Sequence, residues 1–193
     1  MSDLRSAPVP PVDAEDHVSG AQTGGHVIVE YADFECPFCA ALSAELPQHQ
    51  TRRVFRHFPV RSSHPRAWPA ACAAEAAAIQ GRFWEMHDRL FADQGRLEDP
   101  HLWARAEELG LDLVRFDADR RSESVRRRVQ RDFEGGVRAG VVGTPTVFLD
   151  GERIAGRGAI VALHRILEGR ADHRDWTGTR NRGINPPGLL ARE

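Results

Sequence analysis

The sequence predicts an α/β fold in which a block of helices separates two strand-containing halves of the core. Three observations support this prediction: an apolar strand that runs into a Cys-x-x-Cys motif over 27–39, consecutive helical segments over about 65–139, and an apolar strand that follows Pro145. The chain has 193 residues, of which 41% are hydrophobic and 28% charged, a composition normal for one globular domain. No large second domain is needed.

The charge balance and the termini exclude several function classes. A formal net charge of −2 argues against a general nucleic-acid binder, although all 26 basic residues are arginine. The first twelve residues lack the apolar core of a secretory signal peptide, and no apolar run approaches the length of a transmembrane helix. The sequence therefore predicts a cytoplasmic protein with no membrane or nucleic-acid partner. Three cysteines in a reducing compartment favour a catalytic or redox-sensing role over a structural disulfide.

The first half of the chain contains a predicted arm, two strands and one helix. Residues 1–23 are rich in Pro, Asp, Ser and Gly and are expected to form a mobile arm. The first strand is predicted over 26–32, and the helix after it has apolar or thiol residues at helical spacing until Pro47. The next strand is predicted over 53–58. The domain proper is expected to span 24–168.

The second half is predicted to be helical before it returns to the sheet. An Ala-rich helix is expected over 66–79, an aromatic helix over 82–92 and a third helix over 99–109. A long pair of helices is expected over 112–139. In the second helix of this pair, Val125, Val129 and Phe133 form an apolar i, i+4, i+8 stripe. After the strand that follows Pro145, residues 152–155 are expected to complete a hairpin and 159–167 a closing helix. Residues 169–193 are predicted to be a mobile tail.

The Cys36-Pro-Phe-Cys39 motif has the spacing of a redox dithiol. Three positions is close to one helical turn, so both sulfur atoms fall on one side of the helix, where a disulfide can close. Cys36 is expected at the helix N-terminus, with Pro37 in the first turn. Free backbone N–H groups and the helix dipole stabilise a thiolate there, so Cys36 is predicted to be the attacking nucleophile and Cys39 the resolving thiol.

Several further segments accompany the dithiol and its preceding strand: Phe55-Arg-His-Phe-Pro59, His64-Pro65, Gly81-Arg-Phe-Trp-Glu-Met-His-Asp88 and Gly140-Val-Val-Gly-Thr-Pro145. Together they resemble the DsbA-like branch of the thioredoxin superfamily, whose soluble bacterial domains are sometimes fused to sodium/proton antiporters. The resemblance covers roughly 17–168 and implies a thioredoxin-like fold. The stretch between Cys39 and Val54 is shorter than in these relatives, so the crossover between the first two strands is expected to be tight.

The resemblance also implies roles for particular residues. In this family a cis-proline loop faces the dithiol helix, and the residue before the proline offers backbone groups to the substrate; the matching positions are Thr144 and Pro145. DsbA-like proteins carry an acid six residues before the first cysteine, which assigns general acid/base help to Glu30. The alternative for Glu30 is an ordinary glutamate on an edge strand.

Other residues near the dithiol have competing interpretations. Pro37 and Phe38 are expected to contact substrate, and Phe34 either joins that apolar surface or packs in the core. Asp33 and Glu35 are expected to be exposed. Cys72 is expected to be a small buried helix residue, with a third redox thiol as the alternative.

The histidines give no metal prediction. His57 and His64 could ligate zinc together with the two thiols, but no second Cys-x-x-Cys or spaced histidine pair completes four ligands, so no metal is predicted. The arginines of 126–128 are expected to form a solvated helix face.

The leading functional hypothesis is a thiol-disulfide oxidoreductase that exchanges disulfides with protein or small-thiol partners. It is expected to need no cofactor beyond its own redox-active disulfide, with glutathione or another small thiol as the recycling partner. The alternatives are a redox-sensing or partner-binding module without turnover, and a glutathione-linked transferase or isomerase. A transferase does not need the second thiol, so Cys39 argues against that alternative. The direction of exchange stays open.

Overall fold

The computed structural model describes residues 7–20, 25–46, 51–154, 161 and 163. Its centre is a five-stranded mixed sheet with strand order β1-β3-β2-β4-β5. The strands are β1 (His17–Gly20), β2 (Val27–Ala32), β3 (Arg52–His57), β4 (Thr146–Leu149) and β5 (Glu152–Ile154). Strands β2 and β3 are parallel, and every other neighbouring pair is antiparallel. The predicted α/β fold class is confirmed.

Six helices accompany the sheet in the described residues. They are α1 (Pro37–Glu45), α2 (Ala67–Ile79), α3 (Phe83–Ala92), α4 (Asp99–Glu108), α5 (Leu113–Arg120) and α6 (Glu123–Arg138). Helices α2 to α6 all lie between β3 and β4 in the chain, which is the predicted helical insertion. Helix α1 has only nine residues, yet it is long enough to connect the parallel strands β2 and β3.

The core forms where the helices meet the two central strands. Helix α2 is rich in alanine and buried along most of its length, so its backbone can pack closely. Phe55 on β3 stacks on Phe34 with ring centroids 5.2 Å apart, and Phe91 of α3 lies 4.8 Å from Phe34. This aromatic cluster packs α3 of the helical insertion against the end of β2, next to the dithiol.

The N-terminal segment differs from the predicted mobile arm. Residues 17–20 form β1, which pairs antiparallel with β3. Upstream, Arg56 is buried and its guanidinium donates to Asp16, at 2.8 and 2.9 Å, and to the carbonyls of Pro10 and Pro11. A buried guanidinium needs acceptors, and this segment supplies them. Residues 1–6 and 21–24 lie outside the described residues.

The C-terminal predictions are only partly covered by the structure. Residues 161 and 163 are helical, while the rest of the predicted closing helix, Pro47 and the tail over 169–193 lie outside the described residues. The turn between β4 and β5 has positive φ at Asp150 (50°) and Gly151 (87°), as a tight Asp-Gly turn requires. None of the helices in the described part of the chain is long and apolar enough to cross a membrane.

Candidate active site

The dithiol sits where β2 turns into α1. Cys36 is the residue immediately before the helix, and Pro37 occupies the first turn. The backbone N–H of Cys36 donates to the Asp33 carbonyl at 3.1 Å, which closes the turn. The carbonyl of Cys36 then accepts from Cys39 N at 3.1 Å. This geometry places Cys36 beside the backbone N–H groups of the first helical turn, as the sequence predicts.

The thiol of Cys36 is set up to ionise. In its protonated form the thiol donates to the carbonyl oxygen of Thr144 at 3.3 Å, so this contact is not what favours ionisation. The hydrogen bond from the Cys39 thiol is the main cause that lowers the pKa of Cys36 from 9.0 to about 5. Burial opposes this shift, whereas hydrogen bonds with the Thr144 side chain and with the backbone N–H groups of Phe38 and Cys39 favour it. At neutral pH Cys36 is therefore mainly a thiolate.

The thiol of Cys39 behaves in the opposite way. Cys39 is fully buried. Burial, together with the hydrogen bond to Cys36, raises the pKa of the Cys39 thiol well above 9.0. The backbone N–H of Asp33 contacts its Sγ at 3.5 Å. One reactive thiolate and one protected thiol within a single helical turn are the arrangement that a nucleophile and a resolving cysteine require.

The loop before β4 faces this dithiol. The Thr144–Pro145 peptide bond is cis, and Thr146 Oγ1 donates to the Gly143 carbonyl at 2.7 Å. Because β2 and β4 are neighbours in the sheet, with Tyr31 opposite Thr146, the loop reaches the same sheet end as the dithiol. The structure thus brings Thr144 next to Cys36, although they are 108 residues apart.

Apolar side chains surround the opening of the site. Phe38 is 69% exposed beside the dithiol, and Val142 is 88% exposed in the segment before the cis-proline. Pro37 is also exposed. Phe34, in contrast, is buried in the aromatic cluster, so of its two interpretations the structure supports core packing.

The expected exposure of Asp33 is wrong. Asp33 is only 1% exposed, because its carboxylate accepts from the N–H groups of Glu35 and Val60, both at 2.8 Å, and contacts His64 Nδ1 at 2.9 Å. Although burial opposes it, the hydrogen bond with Asp33 raises the pKa of His64. Glu35 is half-buried and binds Arg66 Nε at 2.8 Å. Both acids stabilise the turn before Cys36.

Glu30 is fully buried and paired with an arginine. Its Oε1 accepts from Arg53 Nε, and Arg53 also reaches Ser43 at 3.3 Å and His87 at 3.2 Å. Strand β2 lies inside the sheet, so the alternative of an edge-strand glutamate does not apply. No hydrogen bond joins Glu30 to either sulfur among the described residues, but its Oε2 is buried without a hydrogen-bond partner there.

Gln94 is a site residue that the sequence did not indicate. Its Nε2 donates to the carbonyls of Phe34 and Cys36 at 2.9 and 2.8 Å, and so ties the segment after α3 to the dithiol turn. Neither periodicity nor a motif marks this position, since the contact spans about sixty residues of chain.

The remaining candidates lie apart from the exchange chemistry. Cys72 is buried in α2, where burial raises its pKa to about 11, which supports a structural thiol. His57 and His64, considered together as metal ligands, bind different acids: His64 contacts Asp33, and His57 contacts Glu75 at 2.7 Å.

A mixed sheet with a helix-terminal dithiol opposite a cis-proline loop defines a thioredoxin-like fold, and the long helical insertion makes it DsbA-like. A family model described as thioredoxin matches residues 13–169. The chain therefore belongs to this thioredoxin family.

Individual relatives agree with this assignment. The chain is 41% identical over 167 residues to the Na(+)/H(+) antiporter NhaA 1 of Mycolicibacterium gilvum, a match that covers 82% of this chain and 27% of that protein. It thus spans about a quarter of the curated relatives it matches.

Solved structures show the same fold. A thioredoxin-like oxidoreductase from Silicibacter pomeroyi DSS-3 has a TM-score of 0.72 and 25% identity, covering 81% of this chain and 92% of its own. The thiol-disulfide exchange protein alpha-DsbA2 from Wolbachia pipientis has a TM-score of 0.71 and 17% identity, covering 82% and 89%. Both neighbours show that the chain has the thioredoxin-like fold.

Proposed function

We propose that this protein exchanges disulfides with thiol- or disulfide-containing partners through Cys36 and Cys39. The observation that carries the proposal is the opposite ionisation of the two thiols: the pKa of Cys36 is lowered to about 5, whereas that of Cys39 is raised. A buried structural pair would not need this asymmetry, and a transferase would not need the second thiol.

The proposed reaction proceeds through a mixed disulfide. The Cys36 thiolate attacks one sulfur of a substrate disulfide, that S–S bond breaks, and the other substrate sulfur leaves as a thiolate. Cys39 then loses its proton and attacks Cys36 Sγ, which releases the second substrate thiolate. The substrate gains two electrons and the protein becomes a Cys36–Cys39 disulfide. In the reverse direction a substrate thiolate attacks that disulfide at Cys36.

We assign the approach of the substrate to the exposed rim of the site. The Thr144 carbonyl beside Cys36 Sγ can position backbone of an extended peptide, and Phe38 offers an apolar surface on the helix side. Pro37 and Pro145 border the same opening.

Glu30 is proposed to help the second step by taking the proton from Cys39. Its Oε2 supports this role, because it is a buried carboxylate oxygen without a hydrogen-bond partner among the described residues. The transfer requires an intervening group such as a water molecule, since no direct hydrogen bond links Glu30 to a sulfur in the described part of the chain. Arg53 holds the other carboxylate oxygen in place.

The acidity of Cys36 also favours the direction of exchange in which the protein oxidises its substrate. Stabilising the thiolate stabilises the reduced form, so the dithiol should be more oxidising than that of thioredoxin. A pKa of about 5 falls between the values typical of strongly oxidising and of reducing dithiols, roughly 3.5 and 7. We expect a reduction potential of about −120 to −200 mV. In a cytoplasmic location, which we propose, glutathione would keep such a dithiol reduced and serve as its recycling thiol.

The first test measures this potential and traps the intermediate. The native chain is equilibrated in glutathione buffers, and free thiols are counted by alkylation and mass. Cys39→Ser should accumulate one glutathione adduct on Cys36 when exposed to oxidised glutathione, whereas Cys72→Ser should behave as the native chain. If no reversible disulfide forms between Cys36 and Cys39, the non-enzymatic binding module becomes the better explanation. A glutathione-dependent activity that Cys39→Ser leaves unchanged would favour a transferase.

A further inference from the structure

Three side chains outside the exchange site converge on one point. His17 lies on β1, His57 at the end of β3 and Glu75 in α2. Nε2 of each histidine is 2.7 Å from Glu75 Oε1, and the three ligand-type atoms all lie within 4.8 Å of one another. The pairs are 58 and 18 residues apart, so only the fold brings them together.

This cluster is buried and held on rigid elements. The side chains of His57 and Glu75 are 1% and 7% exposed, and that of His17 is 14% exposed. The ring of His17 stacks on Phe83 with centroids 3.4 Å apart and planes 7° from parallel, which fixes its orientation. An open groove lined partly by Asp16, His17 and Trp84 gives this side of the cluster access to solvent.

Two arginines lie near the cluster, and each has an aspartate partner. Arg56 pairs with Asp16, and Arg128 pairs with Asp132. Arg128 also approaches Glu75, but only to 3.9 Å.

Asp132 is also approached by Arg131, at 3.8 Å, and the direct partners of Glu75 Oε1 at 2.7 Å are the two imidazoles.

We propose that His17, His57 and Glu75 bind a divalent transition-metal ion of the Zn²⁺ type. Two imidazole nitrogens and one carboxylate oxygen suit Zn²⁺ or Co²⁺, whereas Mg²⁺ and Ca²⁺ require mostly oxygen ligands. A water molecule from the groove beside His17 would complete four-coordination. The ion would join β1, β3 and α2, and so fasten the N-terminal strand to the insertion.

The geometry allows such an ion after small side-chain movements. Tetrahedral ligands with metal bonds of about 2.0 Å lie about 3.3 Å apart, between the 2.7 Å contacts and the 4.8 Å limit of this cluster. Ligation through Nε2 leaves the ring proton on Nδ1, and Nδ1 of His57 is buried without a partner among the described residues. We therefore expect weaker binding than at a site whose histidines are held by outer hydrogen bonds.

The test titrates Co²⁺ as a spectroscopic probe into the full native chain and follows its d–d absorption, with Zn²⁺ titrated by calorimetry. We expect one equivalent to bind and a rise in the thermal unfolding midpoint with Zn²⁺. Thiolate-to-cobalt charge-transfer bands report ligation by the dithiol, so the titration is repeated with the Cys36→Ser/Cys39→Ser chain. This variant makes the result independent of the proposed disulfide exchange.

Two histidine variants locate the site. His17→Ala should weaken binding by about tenfold or more, because it removes one of three protein ligands, and it should abolish the stabilisation by Zn²⁺. The matched control is His26→Ala, which breaks another histidine–carboxylate contact, His26 Nδ1 to Asp150 at 2.6 Å. Circular dichroism checks that both variants fold.

The proposal is overturned if the native chain gives no cobalt bands, or if binding disappears in the Cys36→Ser/Cys39→Ser chain. It is also overturned if His17→Ala, folded by circular dichroism, binds as tightly as His26→Ala.

Discussion

Cys36 and Cys39 share one helical turn, yet their thiols ionise in opposite directions. Both residues are buried, but Cys36 receives hydrogen bonds from the Cys39 thiol and from backbone N–H groups, whereas burial is the main influence on the pKa of Cys39. The difference in solvation and hydrogen bonding, over a distance of one turn, is what separates a nucleophile from a resolving thiol.

The first residue-scale prediction concerns the source of this acidity. Cys39→Ala removes the hydrogen bond that contributes most to the low pKa of Cys36, so the pKa of Cys36 should rise by about one unit or more. Thiolate absorbance against pH measures the change. Cys72→Ala is the control, because the pKa of Cys72, about 11, lies outside the titration range. An unchanged Cys36 titration in Cys39→Ala would assign the acidity to the helix terminus instead.

A second prediction concerns the buried pair of Glu30 and Arg53. Arg53→Met leaves a buried carboxylate without its cation and should destabilise the chain by about 3–5 kcal/mol. Urea unfolding measures the loss. The matched control is Arg82→Met, which breaks an ion pair with Glu85 whose side chains are 53% and 44% exposed; its effect should stay within about 1 kcal/mol. Equal losses in the two variants would contradict the assignment of a tightly held Glu30.

Among the elements, α6 shows how closely the insertion packs on the sheet. A Cβ on Gly136 would lie 2.7 Å from Phe58 Cδ2 and 2.9 Å from Tyr31 Cδ1, whereas a Cβ on the neighbouring Gly135 would meet nothing closer than 3.6 Å. The two glycines share one helix but face different amounts of space. Gly136 lets α6 approach the aromatic side chains of the sheet.

This contrast predicts that alanine has different effects on stability at the two glycine positions. Gly136→Ala should destabilise the chain by about 1–3 kcal/mol through overpacking. Gly135→Ala should be neutral or stabilising by up to about 1 kcal/mol, because alanine favours the helix. Thermal or urea unfolding of the two variants compares them directly. Equal effects would mean that helix propensity, not packing against the sheet, controls this part of α6.

For the whole molecule, ionisation of Cys36 makes the stability of the reduced chain depend on pH. The pKa of Cys36 is about 5 in the folded chain, against 9.0 for an ordinary thiol. A folded pKa below the unfolded value stabilises the fold fully above the unfolded value, and this stabilisation is lost as the pH falls through the folded value. The reduced chain should therefore become more stable as the pH rises from about 5 to about 9.

The test of this coupling compares unfolding midpoints of the reduced native chain and Cys36→Ser across that pH range. The serine variant lacks the titrating thiol but keeps the other ionisable groups, so the difference between the two curves reports Cys36 together with its effect on the pKa of Cys39. The native chain should gain stability relative to the variant as the pH rises. Parallel curves would show that the pKa of Cys36 is not lowered by folding.

Features that depend on local sequence pattern could be predicted before the structure was known. The dithiol at the start of α1, the helical insertion between β3 and β4 and the proline before β4 all follow from motifs or from periodicity within about 20 residues of chain. Helix ends were predicted to within a few residues, because a strong hydrophobic periodicity marks where a helical segment begins and ends.

Contacts between groups that are distant in the chain could not be predicted and are known from the folded structure alone. It buried Asp33 against His64, paired Glu30 with Arg53, placed Gln94 on the dithiol turn and joined His17 to Glu75. It also drew β1 out of the expected arm and onto β3. Each contact links residues more than twenty positions apart, where no local periodicity exists. Each exists because the fold buries a polar group that must find a partner.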